Sequence, residues 1–180
     1  MDSVSLERIK SLHPKLRDEA KVILEEVEKT LTGKAMCRFT FTLRSWEEQD
    51  GLYALGRTKA NPDGKTAKKP LGNIVTNAKA GDSFHNYGLA VDIALVIDTD
   101  GDGKYDKGSW DTKGDYDQDK KADWMEVVAI FKKHGWEWGG DWTSFKDMPH
   151  FQKAFGHTLK DLKAKYAKKD FIPGTTYLNL

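Results

Sequence analysis

The chain has 180 residues, with 29 basic and 28 acidic side chains and a formal net charge of +1. With 38% hydrophobic residues, six tryptophans and one cysteine, it can form a core of its own, burying roughly 70% of its unfolded surface, and it cannot carry an internal disulfide. The balanced charge argues against a dedicated nucleic-acid binder, and no apolar run approaches the ~20 residues of a membrane span. The opening MDSVSLERIKSLHPKLRDEA has no apolar signal-peptide core, so the expected product has no evident leader. No repeat or linker divides the sequence, which reads as one domain over 1–180.

Apolar residues from Leu6 to Leu31 recur at steps of three and four, interrupted by Pro14. This predicts a short leading turn and a main helix from Pro14 to Leu31, stopped by Gly33. Cys37 to Leu43 alternates as a half-buried strand with Cys37 inside, and Trp46 to Leu55 reads as a helix closed by Gly56. Arg57 to Lys79, with six basic residues and one acidic, is expected to be an exposed, mobile loop. Leu89 to Ile97 predicts a second strand, with Val91, Ile93, Leu95 and Ile97 on one face and Asp92 on the other. An Asp-rich insert, Asp98 to Asp123, holds nine Asp and five Lys. Trp124 to His134 then reads as a helix whose start has capping-box spacing at Asp123 and Glu126. Thr158 to Lys169 reads as a basic final helix.

The chemistry concentrates in Ser83-Phe-His85-Asn-Tyr-Gly88-Leu-Ala-Val-Asp92, where an imidazole and a carboxylate stand seven residues apart. Seven residues span about 10 Å of helix or over 20 Å of strand, whereas two ligands of one zinc each lie about 2 Å from it. The chain must therefore bend between them, and Gly88 gives it the freedom to do so. His150, after Asp147-Met-Pro in an aromatic-rich loop, is the best third ligand. Two His and one Asp leave the fourth position of a tetrahedral zinc open for water, as in catalytic sites.

Three blocks of this sequence resemble a known family. They are Arg44-Ser-Trp-Glu-Glu-Gln49 continuing to Gly56-Arg57-Thr58, then Ser83 to Asp92 as S-x-H-x-x-G-x-A-x-D, then Trp138-Gly-Gly-Asp-Trp142 with Asp147-x-x-His150. The family is that of the zinc peptidases comprising D-alanyl-D-alanine carboxypeptidases, related dipeptidases, and L-alanyl-D-glutamate endopeptidases of phage lysins and bacteria. The resemblance implies an α+β fold of the hedgehog/DD-peptidase kind, a small mainly antiparallel sheet with surrounding helices. It also implies zinc held by His85, Asp92 and His150, Asp147 as general acid/base, and Arg44 on the scissile carbonyl. Ser83, Gln49, Trp138 and Trp142 are expected substrate contacts. Asp147 stands where dipeptidases and many carboxypeptidases of the family have Glu, which points to the L-Ala–D-Glu bond of the peptidoglycan stem peptide. A D-alanyl-D-alanine carboxypeptidase is the enzymatic alternative, and a non-catalytic metal-binding wall-recognition module the alternative of another class. The expected protein is a monomer acting at the bacterial cell wall after release or export.

The insert suggests calcium as a second metal. Asp98, Asp100, Asp102 and Asp106 occupy positions 1, 3, 5 and 9 of a calcium loop with Gly103 at position 6, but position 12 is Ser109, which leaves nearby Asp111 to substitute. A second register, Asp115, Asp117, Asp119, Asp123 and Glu126, has Lys120 where glycine belongs, and the alternative is a single ion shared by the two clusters.

Overall fold

The computed structural model describes all 180 residues, and the chain divides into two compact units. The first comprises Met1–Leu43 and Leu89–Lys153, the second Arg44–Gly88 and Ala154–Leu180.

In the first unit the expected leading turn is a full helix, α1 (Ser3–Lys10). It forms because Asp2 caps it, accepting from the Ser5 amide at 3.0 Å while gripping the Arg38 guanidinium at 3.1 and 2.9 Å. Helix α2 (Pro14–Thr30) starts with proline in its first turn, where no amide is needed, and buries Leu16, Ala20, Ile23, Leu24 and Val27. His13 is buried as its cap, Nδ1 accepting from the Lys15 amide at 3.2 Å.

The sheet is antiparallel, in the order β1 (Ala35–Phe41), β2 (Ala90–Ile97), β5 (His150–Gln152), β4 (Glu137–Trp138), with β3 (Lys107–Ser109) also on β2. The unit is thus α+β, as the sequence implies. Strand β1 starts two residues earlier than its alternation suggests and ends at Phe41, after a register shift between Phe39 and Phe41. Strand β2 is covered on both faces, and every residue but Asp92 is buried. Helix α4 (Asp123–Lys133) lays Phe131 on Phe151 at 4.2 Å between ring centres, with Trp136 at 5.5 Å and Phe39 at 5.9 Å. The capping box expected there does not form. Ala122 is the cap residue, and Asp123 instead accepts the Tyr116 amide at 3.2 Å.

In the second unit α3 (Trp46–Ala54) carries a complete capping box from Ser45 and Glu48, and α5 (Leu159–Ala167) one from Thr158 and Asp161. Trp46 packs, stacked on Tyr166 at 4.4 Å. The 57–79 segment has no helix or long strand and is largely exposed, but it is tied down. Buried Asn61 donates to the Asn73 carbonyl at 2.9 Å, and Arg57 donates to the Tyr53 and Thr76 carbonyls at 2.7 Å each. No helix of the chain is long and apolar enough to cross a membrane.

Candidate metal centre

Strands β2 and β5 pair with Asp92 directly opposite His150, so two residues 58 apart in sequence meet side by side. The His150 Nδ1 lies 3.2 Å from the Asp92 Oδ1. Two atoms each bound at ~2.0–2.1 Å to one tetrahedral zinc stand ~3.3 Å apart. The pair already has the spacing of shared ligands.

The other side of the imidazole settles its tautomer. Gln152, two residues along the same strand face, places its Oε1 3.0 Å from His150 Nε2 and donates from its own Nε2 to Glu137 Oε2 at 2.8 Å. A carboxylate only accepts, so the amide nitrogen must face Glu137 and the amide oxygen must face His150. Nε2 therefore carries the proton, and the Nδ1 lone pair points at the Asp92 oxygen. Lone pair against carboxylate is repulsive unless a proton or a metal cation lies between them. Burial disfavours charge on this imidazole, but the Asp92 carboxylate outweighs it, with Gln152 and Asp147 adding to the effect, so the His150 pKa is raised above its usual value. Neither Gln152 nor Glu137 was among the residues expected from sequence. The signal was period two counted onward from His150, invisible while the segment read as a loop.

Asp147 is placed by backbone. Its amide donates to the Gly139 carbonyl at 3.1 Å, and its carbonyl accepts from the His150 amide at 3.3 Å. A Cβ on Gly139 would stand 2.4 Å from the Asp147 carbonyl oxygen, so only glycine permits this approach. Trp138 is buried and holds the same loop, donating from Nε1 to the Met148 carbonyl at 2.7 Å. Trp142 sets its ring 5.3 Å from that of His150.

In the second unit His85 sits in a 3-10 turn, Phe84–Tyr87, started by the Ser83 hydroxyl accepting the His85 amide at 3.3 Å and ended by Gly88 at φ 68°. The left-handed residue at Gly88 provides the bend expected between His85 and Asp92. The Arg44 amide donates to the His85 carbonyl at 3.0 Å, and its guanidinium donates to Gln49 Oε1 at 3.0 Å. Gln49 is fully buried and gives its amide nitrogen to the Ala78 carbonyl at 2.8 Å, so it braces Arg44.

His85 and His150 are buried within their own units and Asp92 is half-buried, and imidazole and carboxylate are both donor types that zinc takes. In the acidic insert the structure gathers Asp98, Asp100 and Asp102, without Asp106 or Asp111.

Against known proteins, the family described as D-alanyl-D-alanine carboxypeptidase matches residues 76–153. Over 111 residues the chain is 50% identical to the peptidoglycan L-alanyl-D-glutamate endopeptidase CwlK of Bacillus subtilis (strain 168), a stretch covering 61% of this chain and 55% of that protein. It is 31% identical over 111 residues to the L-alanyl-D-glutamate peptidase of Listeria phage A118, covering 61% of this chain and 34% of that one. The matched stretch is thus about half the length of the first relative and a third of the second. Among solved structures, the Serratia marcescens L-Ala D-Glu endopeptidase ChiX shares the fold, with TM-score 0.50 at 22% identity, covering 86% of this chain and 90% of that one.

Proposed function

We propose that the chain, which matches the D-alanyl-D-alanine carboxypeptidase family over residues 76–153, is a zinc-dependent peptidoglycan hydrolase. Its bond is that between L-Ala and D-Glu in the stem peptide, and its place of action the bacterial wall. The observation that carries this reading is the Asp92–His150 pair at 3.2 Å, braced by Gln152. The specificity follows the 50% identical relative, a peptidoglycan L-alanyl-D-glutamate endopeptidase.

His85, Asp92 and His150 would hold the metal, which when bound lowers the pKa of water and polarises a carbonyl. Asp147 accepts the proton of the attacking water and returns it to the departing amine nitrogen. Arg44, held by Gln49, would supply positive charge to the carbonyl oxygen as it gains negative charge. Trp142, beside His150, offers a ring face to the substrate backbone.

The test is digestion of purified muropeptides by the zinc-loaded protein, read by mass spectrometry. The expected product is a stem peptide beginning with D-Glu, with L-Ala left on the sugar. Loss of only a terminal D-Ala would instead make the chain a D,D-carboxypeptidase. An Asp147→Ala variant should keep zinc and fold while losing turnover. Wall binding without turnover in both proteins would make it a recognition module.

A further inference from the structure

The acidic insert lies outside the peptidase chemistry, and its two registers fare differently in the structure. At position 1 they are alike, Asp98 accepting from the Gly101 and Gly103 amides at 2.7 and 2.9 Å and Asp115 from the Asp119 and Lys120 amides at 3.1 and 3.0 Å, so they differ at position 12. Position 12 of the first register, Ser109, is fixed in β3 opposite Leu95, with its hydroxyl 3.1 Å from the Tyr116 hydroxyl.

The second register closes. Asp115, Asp117 and Asp123 form one group of potential ligands, and Asp117, Asp119 and Glu126 form another sharing Asp117, the atoms of each lying within 4.8 Å of one another. These are positions 1, 3, 5, 9 and 12 of a twelve-residue calcium loop, with Glu where the bidentate ligand belongs. The backbone at position 6 takes the left-handed turn that glycine normally supplies, with Lys120 at φ 74°. An independent observation points to a missing ligand. Glu126 is only 10% exposed at its side chain and is turned into this cluster, yet its Oε2 is shut off from solvent with no hydrogen-bond partner. Its other oxygen has only Lys121 at 3.4 Å, from an ammonium that is 67% exposed. Asp123 is fully buried with a single backbone amide across both oxygens. A native chain does not leave a buried carboxylate oxygen unpaired without compensation, because the cost of stripping its water goes unreturned.

We propose that Asp115, Asp117, Asp119, Asp123 and Glu126 bind one calcium ion, joining the insert to the first turn of α4. Several hard oxygens and a flexible loop suit calcium, whereas the harder-to-dehydrate magnesium keeps its waters and zinc takes the imidazole-containing site. Helix α4 has no side chain capping its start, so the ion supplies the closure there. The same helix carries Phe131 against Phe151, the neighbour of His150 in β5.

The test is calorimetric titration of calcium chloride into the zinc-loaded full chain after calcium removal on chelating resin, alongside E126Q, D115N and D100N. The expected result is one calcium per chain, with affinity weakened about tenfold or more in E126Q and D115N and unchanged in D100N. Circular dichroism checks the fold of each variant, and exposed Asp115 keeps the comparison valid should E126Q not fold. No uptake by the parent chain up to about 10 mM calcium overturns the proposal, as does uptake lost in D100N but kept in D115N.

Discussion

Replacing Gln152 by Leu tests whether the outer hydrogen bonds of the metal centre set its affinity. The substitution keeps the volume but removes the acceptor 3.0 Å from His150 Nε2 and the donor 2.8 Å from Glu137. His150 is 6% exposed, so its Nε2–H has no water to turn to. A buried donor left without an acceptor costs about 1–3 kcal/mol. The imidazole regains that energy only by turning, which takes Nδ1 away from Asp92. Loss of such a partner typically weakens metal binding ~10–100-fold. That is ~1.4–2.8 kcal/mol at ~1.4 kcal/mol per decade, so the two estimates agree. The assay is competition for zinc with a chromogenic chelator at fixed pH, with circular dichroism to show that the variant is folded. Glu137→Gln is the control. Glu137 is exposed and its replacement still offers Gln152 an acceptor, so zinc affinity should change by less than about threefold. A folded Gln152→Leu protein binding zinc within about twofold of the parent would refute the reasoning.

Gly139→Ala should lower turnover about a hundredfold while leaving zinc bound, because its Cβ would meet the Asp147 carbonyl at 2.4 Å and push that loop about 1 Å; unchanged muropeptide turnover would show that Asp147 is not placed by this contact. Asp2→Asn should cost about 1.5–3 kcal/mol in urea unfolding, since the carboxylate serves Ser5 and Arg38 together. Burial opposes its charge, but Arg38 and Ser5 prevail and hold its pKa below the ordinary 3.8. Its contribution is therefore complete above that value and disappears as pH falls through the lowered one, so the gap between parent and Asp2→Asn should narrow in acid. Cys37 is buried in β1 and its thiol is pushed well up by burial, with Asp2 adding to the effect. It should ignore a thiol reagent at neutral pH until guanidinium unfolds the chain.

The long elements were legible because their signals are local. Helix α2 shows its apolar stripe in the spacing from Leu16 to Val27, and Pro14 marks its first turn. Helix α1 reads only as a turn in the sequence because Asp2, one residue from the start, acts as a cap held in place by Arg38, a partner 36 residues away. The short strands β3, β4 and β5, of three, two and three residues, have too few positions for any period and exist only through their partners. The capping box at Asp123 had the right spacing, but the side chain was claimed by the Tyr116 amide across the insert, a competition that spacing does not reveal.

The same distinction separates what the site displays in sequence from what makes it work. Asp92 and His150 are visible as residue types, whereas their meeting depends on the register of β5 against β2. That register is pinned by the Ile93 amide on the Pro149 carbonyl and the Lys153 amide on the Leu89 carbonyl, each at 3.0 Å. Within the three residues of β5, alternation turns His150 and Gln152 to one face and Phe151 to the other, where it is fully buried against Phe131. A slip of one residue would drive the phenyl ring toward Asp92 and the imidazole into an aromatic core with no acceptor for its proton. Burying a Phe side chain is worth about 2–3 kcal/mol, and stranding the imidazole costs about 1–3 more. The slipped strand is therefore disfavoured by several kcal/mol before any metal arrives, and the hydrophobic packing of Phe151 holds the Asp92–His150 pair at ligand spacing.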